Sequence, residues 1–527
     1  MADNGRLSKE QRQALGKGTT NARNDRLNDV LVPKKKKSPS ISVEIPKDGE
    51  RQHKDVKTTP PKKEKYDRVI HYDPGTRPAS NSENEKKSSN DTQRNVGARK
   101  QSSSSGNDSG FLSIIRAPVA EYPECQYFGR RGRFDTPLFI IVLVLAVFGL
   151  VMMGSASYAY SLYENRDSFD FMKQQLEGMI IGLVAMVFVS FVDYNILIMP
   201  IKYIIKHFFS FIGEFFGTKK KKKEAKVPAN GKGINICHLF FLVSIILMAI
   251  TCVAGEEVAD ARRWLTIMGL RFQPSEIMKL AMIILIAFMI QRLYEVRSKV
   301  IAGFGRYLIV FGLCGGLCVL QRHISAVIIV FTIVMTMLYA GEVSRIGMAF
   351  LLGAVAVLFI GMLIFSSSYI TVRIDGWLDP FGDMQNTTYQ TSQSLITIGS
   401  GGWFGRGLGN SIQKYYYLPE AQNDFVFSVL CEELGFVGGI TVILLFVLFA
   451  VRGYKISKGA RDRFGAFLAL GITVQIVLQA FLNIGVACNA IPNTGISLPF
   501  FSFGRTALII QLIEAGILLS VSRSSET

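Results

Sequence analysis

The chain has 527 residues, 49% of them hydrophobic, and its mean hydropathy is positive at +0.27. These values exclude an average soluble enzyme and are typical of a chain that is largely embedded in a membrane. The seven cysteines are an odd number, and most lie within or beside apolar runs. They therefore indicate small packing residues rather than a disulfide framework.

The first 116 residues contain no apolar run of helical length and are rich in Lys, Ser, Asn and Pro. Such a composition buries too little apolar surface to fold, so we predict a disordered basic cytoplasmic tail, followed by a juxtamembrane segment at 117–136. The net charge of +18 comes largely from this tail and a few loops, which raises nucleic-acid binding as an alternative. No aromatic interleaving or zinc spacing supports that alternative. We expect contact with anionic lipid headgroups and no nucleic-acid partner.

Ten apolar runs follow the tail, against the roughly 20 apolar residues that a membrane helix needs. They lie near 137–157, 174–194, 236–254, 275–291, 305–321, 324–341, 346–368, 425–451, 465–488 and 504–522. We therefore predict an all-α fold, a polytopic membrane helix bundle over 137–523 with about 10 transmembrane helices. Residues 305–341 also fit a tight hairpin, which would change the count by one.

The Lys/Arg distribution predicts which way the bundle faces, because short cytoplasmic loops carry the excess of basic residues. The basic segments are 129–133, 202–232, 292–306, Arg345, 452–463 and Arg523. With ten helices they alternate onto one side, which places both termini in the cytoplasm. The loops at 158–172, 255–274, 321–323, 369–424 and 489–503 then face outward. ATP-driven chemistry is not expected there, because the outer face lacks ATP.

Residues 201–235 form a basic cytoplasmic insertion in this scheme. Apolar positions on one face alternate with Lys202 and Lys206, and the run KKKKKEAK follows. That pattern is typical of an interfacial helix with a basic skirt.

The first polar cluster on the outward side surrounds the start of the fourth run. Its members are Arg262, Arg263, Trp264, Gln273, Ser275, Glu276 and Lys279. Pro274 suits the first position of a helix, and Glu276 in the first turn suits the positive end of the helix dipole. Glu276 and Lys279 are three residues apart and share a face, so a simple intrahelical ion pair is one reading. The alternative is a functional site, because ionisable residues at a membrane segment are costly and are therefore functional candidates.

The second cluster is the polar loop at 369–424. A loop of this length without regular structure is usually functional, so we predict that it contributes to a functional site. Its glycines lack the spacing of a nucleotide-binding motif. Gln390, Gln393 and Ser394 offer hydrogen-bonding groups on a predicted short helix.

Asp424 lies at the junction of this loop with the eighth apolar run. Partial burial there would raise its pKa, whereas nearby Arg or Lys would lower it. A carboxylate tuned in this way suits a general base. The spacing also fits a carboxylate that caps a helix beginning at Phe425.

Two further segments carry candidate residues. Ser502 lies in a Pro- and Gly-rich re-entry into the last run. His323, in the turn Gln321–Ser325, is a candidate metal ligand or a group that changes charge near neutral pH. A structural, hydrogen-bonded histidine is the alternative, and we assign no metal site.

Together these motifs resemble the FtsW/RodA/SpoVE family, the SEDS polysaccharide polymerases of bacterial cell walls. The resemblance covers about residues 130–525 and is carried by ARRW…FQPSE..K, YQ..QSL, LPEAQND, EELG and P..G..LP..S. The chain departs from the family pattern at Gln422–Asn423, in place of His-Thr, and at Arg505, in place of a glycine. At Gln321–Ser325 the family often has Pro-Asp-Leu-Gly.

The resemblance implies a peptidoglycan glycosyltransferase that polymerises lipid II, an undecaprenyl-diphosphate disaccharide-pentapeptide, at the outer face of the cytoplasmic membrane. It implies Asp424, Lys279 and Glu276 as catalytic residues. Implied substrate-binding residues are Arg262, Arg263, Trp264, Gln273, Ser275, Gln390, Gln393, Ser394, Glu433 and Ser502. A divalent cation, Mg or Mn, is a candidate cofactor.

The resemblance also implies partners, namely a class B penicillin-binding transpeptidase and divisome proteins at the division septum. The motif GLGNSIQK.YYLPEA is closer to the division and sporulation branch than to RodA. Two other classes stay open: a lipid II flippase and a non-catalytic scaffold for a division transpeptidase. A flippase predicts charge along a path across the whole bilayer, whereas the candidates here crowd the outer third.

Overall fold

The computed structural model describes residues 132–165, 167–201, 235–258, 261–267, 270–293, 300–343, 345–365, 367–384 and 388–525. All of them belong to the unit Gln101–Thr527, the second of two into which the chain divides. The predicted tail over 1–116 and nearly all of the predicted insertion at 201–235 lie outside the described residues.

Helices dominate the described chain. They are α1 (Thr136–Asn165), α2 (Asp170–Phe191), α3 (Ile236–Ala254), α4 (Pro274–Leu293), α5 (Val300–Leu320), α6 (Ile324–Ala340), α7 (Arg345–Phe365), α8 (Ser367–Leu378), α9 (Tyr389–Ser400), α10 (Val426–Gly459), α11 (Arg463–Ala487) and α12 (Arg505–Arg523). A short 3-10 helix, Tyr194–Ile198, follows α2. Every predicted apolar run coincides with a helix, so the prediction of a helical membrane bundle is confirmed.

Among the described residues, seven helices are long and apolar enough to cross a membrane: α1 to α4 and α10 to α12. Three shorter apolar stretches lie at Phe304–Leu320, Ser325–Ala340 and Arg345–Val357. The number of passes therefore stays a prediction.

Helix α4 is the centre of the bundle. Of the 18 most apolar consecutive residues of α4, 89% are buried, against 28% for α3 and 33% for α2. An apolar helix buried on all sides has no lipid-facing stripe, so its few polar residues must find partners within the protein. Helix α11, with 72% of its window buried, packs against α4 and supplies those partners.

Two features of the fold differ from the sequence predictions. Three short segments form an antiparallel sheet among the described residues, which are otherwise mostly helical: β1 (Glu256–Val258), β2 (Ala261–Ile267) and β3 (Leu270–Phe272). The segment 369–424 is also more regular than predicted: α9 confirms the short helix, but α8 was not predicted. Short amphipathic elements at the edge of a membrane bundle give weak sequence signals because each spans so few residues.

The rest of the long loop folds onto the beginning of α10. This helix bends at Gly435, which has φ +69°. A Cβ there would lie 2.3 Å from the backbone nitrogen of Gly405, so only glycine permits this approach. Hydrogen bonds from Arg406 N to Glu432 O (3.0 Å) and from Gly407 N to Glu433 O (2.9 Å) fix the loop at the bend.

Candidate active site

Asp424 lies two residues before α10, beside the loop that connects α11 to α12. Asn483, buried on α11, donates from Nδ2 to the carbonyl oxygens of Asp424 (2.7 Å) and Ile496 (2.6 Å). One amide therefore fixes the backbone of both segments. The residue at the cap position of α10 is Phe425, and no side chain caps the helix. The helix-cap interpretation of Asp424 is therefore wrong.

Ser502 strengthens the same junction. Its hydroxyl donates to the carbonyl of Asn423 (2.5 Å) and accepts from the backbone nitrogen of Leu498 (2.7 Å). Phe503 N also donates to Gln422 O (2.9 Å). The backbone carbonyls of three consecutive residues, Gln422 to Asp424, are thus held, and Ser502 acts on the position of Asp424 through the backbone.

The Asp424 carboxylate is half-buried and meets cations. A Cβ at Gly495, which has φ +65°, would lie 3.4 Å from Asp424 Oδ2 and 3.8 Å from an Nη of Arg263. Burial and, after it, the Glu420 carboxylate raise the pKa of Asp424 from 3.8 to about 6, while Arg263 and Arg373 hold it down. The group is therefore ionised at neutral pH but still basic enough to accept a proton.

The two guanidiniums are themselves tied to loops. Arg263, on β2, donates from Nη2 to the carbonyl of Arg322 (3.0 Å). Arg373, on α8, donates to the carbonyl of Asn493. Strand β2, helix α8 and the loop before α12 thus meet around the Asp424 carboxylate. Arg373 was not among the sequence candidates because α8 was not predicted.

His323 lies in the turn between α5 and α6 and is buried. Burial, and then the positive charges of Arg263 and Lys279, lower its pKa well below the usual 6.5. The imidazole is neutral at physiological pH, so the predicted charge change near neutral pH is wrong. The described residues contain no group of three or more His, Cys, Asp or Glu side chains able to hold a metal ion.

Lys279 and Glu276 form an ion pair of 2.9 Å in the first turns of α4. Their side chains are only 3% and 5% exposed, so the pair is sequestered from water, and removal of one partner would leave an uncompensated buried charge. Lys279 Nζ also donates to Gln479 Oε1 on α11 (2.7 Å). Gln479 in turn donates to Ser497 O and Oγ (3.2 Å each) in the loop beside Asp424.

Helix α11 therefore carries a polar face that connects the ion pair with Asp424. Gln475, Gln479 and Asn483 are spaced by four residues and are all buried, so they line one side of the helix. Gln475 donates to Glu514 Oε1 on α12 (2.7 Å). The sequence interpretation missed this face, although three amides at helical spacing within an apolar run were a visible signal.

Glu432 and Glu433 are fully buried where the glycine-rich loop meets α10. Glu433 Oε1 accepts from Ser155 Oγ of α1 (2.6 Å) and pairs with Lys414 Nζ (3.0 Å). Glu432 accepts from Ser411 Oγ (2.5 Å) and from the backbone nitrogens of Ile412 and Gln413. These contacts hold the loop in place, and a substrate-binding role for Glu433 remains a prediction.

The α9 candidates lie at a helix junction. Ser394 is buried, shares a 2.7 Å hydrogen bond with Ser428 Oγ and donates to Ala487 O (2.8 Å). Gln390 Oε1 accepts from Asn493 Nδ2 (2.8 Å), which joins α9 to the loop that also receives Arg373. Gln393 is half-buried beside them.

The remaining candidates lie around the small sheet. Arg262 is exposed and donates to Val253 O (3.4 Å). Trp264 is half-buried, with the Arg271 guanidinium 4.8 Å from its ring centroid. Gln273 is half-buried and Ser275 buried, both at the start of α4. Arg262 and Trp264 adjoin Arg263 in sequence, whereas Gln273 and Ser275 follow the sheet at the start of α4.

Comparisons with known proteins agree with this architecture. The family model described as "Cell cycle protein" (FtsW/RodA/SpoVE) matches residues 135–227 and 225–527. Stage V sporulation protein E of Bacillus subtilis (strain 168) is 36% identical over 397 residues, covering 74% of this chain and 97% of that protein. A "Probable peptidoglycan glycosyltransferase FtsW" of Geobacter sp. (strain M18) is 32% identical over 392 residues, covering 74% and 96%.

A solved structure described as "Structural coordination of polymerization and crosslinking by a peptidoglycan synthase complex" contains a chain of similar fold. The TM-score is 0.55 at 23% identity, over 74% of this chain and 98% of that chain. The likeness supports the fold alone. Because the family model spans nearly the whole of the described chain, and relatives above 30% identity are covered almost completely, this chain belongs to the FtsW/RodA/SpoVE family.

Proposed function

We propose that this chain is a peptidoglycan glycosyltransferase that polymerises lipid II into glycan strands. The observation that carries the proposal is Asp424, a half-buried carboxylate with a pKa of about 6 that interacts electrostatically with the guanidiniums of Arg263 and Arg373. A base of this strength next to fixed cations suits the transfer of a sugar from a diphosphate to an alcohol. The name of the Geobacter relative, a probable peptidoglycan glycosyltransferase, supports the same cell-wall chemistry.

Asp424 acts as the general base. The 4-hydroxyl oxygen of one disaccharide attacks the anomeric carbon of the growing strand, and its proton passes to the Asp424 carboxylate. A new carbon–oxygen bond forms as the bond between the anomeric carbon and the diphosphate oxygen breaks. Undecaprenyl diphosphate leaves with the electron pair. A sugar hydroxyl is a weak nucleophile, so removal of its proton in the transition state contributes typically 10²–10⁴-fold.

Arg263 and Arg373 stabilise the departing diphosphate. Both interact electrostatically with Asp424, so they lie at the proposed reaction centre, where negative charge develops on the departing diphosphate. Their hydrogen bonds to loop carbonyls hold the guanidiniums in place before the reaction, which lowers the reorganisation that the transition state requires. Lys279 adds a third cation deeper in the bundle and helps stabilise the same diphosphate, with Glu276 as its counter-ion.

The reaction takes place at the outer face of the cytoplasmic membrane. The basic segments of the chain support cytoplasmic termini, with Asp424 and its loops outside. The match to a family described as cell cycle protein and the relatives named FtsW support a role in septal wall synthesis. A crosslinking enzyme of the class B penicillin-binding type is the expected partner, because the structural relative belongs to a complex that coordinates polymerisation with crosslinking.

The test is polymerisation of lipid II by the purified full-length protein. Wild type should produce long glycan strands, and Asp424→Asn should produce none. The matched control is Glu420→Gln, which removes a neighbouring exposed carboxylate that raises the pKa of Asp424 but is not itself the base. It should retain strand synthesis.

The same preparation reconstituted in vesicles separates the other two classes. Lipid II translocation without strand formation would identify a flippase. Wild type that neither polymerises nor translocates lipid II, alone or with a transpeptidase, would identify a scaffold. Either result would overturn the proposal.

A further inference from the structure

The glycine-rich loop that follows α9 presents two large aromatic side chains that the proposed mechanism does not use. Trp403 is 69% exposed and Phe404 is 83% exposed. The Trp403 ring packs edge-on against Phe436, just after the bend of α10, with 5.2 Å between the ring centroids. A contiguous exposed apolar surface marks a place of contact with a partner or a membrane.

Backbone hydrogen bonds hold this aromatic pair, Trp403 and Phe404, against α10. Phe436 N donates to Gly402 O (2.9 Å) and Val437 N donates to Trp403 O (3.2 Å). Gly405 N donates to Gly401 O (2.9 Å), which closes the turn that carries both rings. The two rings therefore have a fixed position relative to the helix.

The aromatic pair lies at one end of an exposed apolar stripe on α10. The members of the stripe are Phe436, Val437, Ile440, Leu444, Val447, Leu448 and Val451. Their spacing places them on one side of the helix, which is the side that meets lipid. The stripe ends at the cytoplasmic basic segment that begins with Arg452. Before the bend, residues 426–433 are all buried and present no side chain to lipid.

The stripe is too short to match the thickness of a bilayer. From Phe436 to Val451 it rises about 23 Å at 1.5 Å per residue, whereas the hydrocarbon core is roughly 30 Å thick. Because the residues before the bend are buried, the missing apolar surface on this side of the bundle has to come from the loop. Trp403 and Phe404 lie at the end of the stripe where that surface is missing.

We propose that Trp403 and Phe404 insert into the outer leaflet of the membrane, at the depth where headgroups meet acyl chains. Aromatic rings favour this depth, and the pair continues a helix side that already meets lipid. Helix α10 begins two residues after Asp424, so the anchored loop also sets the height of Asp424 above the hydrocarbon core. This second consequence rests on the proposed function, whereas the insertion does not.

Tryptophan fluorescence in vesicles that contain brominated phospholipids measures the insertion. The full-length variant Trp264→Phe/Trp377→Phe keeps Trp403 as its single tryptophan. Its emission should be quenched more strongly by bromines near the headgroup end of the acyl chain than by bromines near the far end. Iodide in the water should quench it only weakly.

The variant Trp377→Phe/Trp403→Phe is the control for a ring in water. It keeps Trp264, whose ring centroid lies 4.8 Å from the Arg271 guanidinium. Arg271 and its ion-pair partner Glu256 are both about half exposed, so their surroundings are hydrated. Iodide should therefore quench Trp264 strongly, and brominated lipid should quench it weakly.

A tryptophan within the stripe is the control for a ring in the hydrocarbon. Leu444→Trp, made with all three native tryptophans changed to Phe, should be quenched most by the bromines near the far end of the chain. Trp403 should fall between this control and Trp264. Iodide quenching of Trp403 equal to that of Trp264, without quenching by bromine, would place the pair in water, as expected of a surface that docks a protein, and would overturn the proposal.

Polymerisation gives the second readout. Trp403→Gln/Phe404→Gln should lose on the order of tenfold in vesicles, since a misplacement of about 1 Å can cost about 10²-fold. It should lose little in detergent micelles, which adapt to the protein surface, and Trp403→Phe should stay active in both. Equal loss in vesicles and in detergent would overturn the role in positioning Asp424.

The two readouts fail separately. The quenching variant leaves Trp403 and Phe404 in place, so it decides the insertion even if the Gln variant does not fold. A wild type without polymerase activity would reject the proposed function, and the quenching result would still decide whether the pair is inserted.

Discussion

Replacing the base by its neutral isostere should make the protein inactive and more stable at the same time. The pKa of Asp424 is raised from 3.8 to about 6 in the folded protein. At 1.36 kcal/mol per pKa unit, keeping this group ionised in the fold costs about 3 kcal/mol. Asp424→Asn removes that cost but keeps the shape, and the Asn483 hydrogen bond goes to the backbone carbonyl, which the substitution leaves in place.

The pH dependence of the gain follows from proton linkage. Between about pH 4 and 6 the folded state binds more protons at Asp424 than the unfolded state, so the stability of wild type falls as the pH rises. The Asn variant does not titrate there. Its advantage should be near zero below about pH 4, grow through the interval and reach its full value above about pH 6.

Thermal unfolding of the detergent-purified protein measures this at about pH 4, 5, 6 and 8. Wild type and Asp424→Asn should have the same unfolding temperature at the lowest pH, and the variant should have the higher unfolding temperature at the highest pH. Glu420→Gln is the control. It lowers the pKa of Asp424 and should recover part of the gain without loss of activity. A variant that is less stable than wild type at about pH 8 would refute the reasoning.

Three further predictions concern the cations, the tail and the loop. Lys279→Ala should lower turnover by about 10²–10³ and lipid II affinity much less, as measured by single-turnover kinetics and binding. Full recovery in Glu276→Ala/Lys279→Ala would instead assign Lys279 a structural role. Deletion of 1–110 should leave polymerisation nearly intact, and loss of turnover in a normally inserted truncation would contradict this. Gly495→Ala should reduce turnover, because the new Cβ would lie 3.4 Å from Asp424 Oδ2, and should cost a little thermal stability, because φ is +65°. An unchanged rate would show that the substrate does not use the space beside Gly495.

The sequence was sufficient to predict the bundle, because hydrophobic runs of membrane length are long and unambiguous. Even the start of α4 at Pro274 was predicted, since proline fits the first turn of a helix and little else in one. The sheet at 256–272 and α8 were not, because their short segments mix polar and apolar residues without a clear period.

The partners of the candidate residues required the structure. Asp424 was identified from its junction, but Arg373, which interacts with it electrostatically, lies 51 residues earlier on α8. Lys279 pairs with Glu276 as their spacing indicated, yet its second contact, Gln479, is 200 residues away. Such contacts depend on how helices pack, and no local pattern encodes them.

The most direct test of the central claim is the pH dependence of kcat/KM for strand synthesis. This profile reports the ionisation of essential groups in the free enzyme. With Asp424 as the base, the rate should fall about tenfold per pH unit below about 6 and level off above it. In Glu420→Gln the acid limb should move to lower pH. A flat profile between about pH 5 and 8, or an acid limb that does not move in this variant, would contradict the assignment of Asp424 as the base.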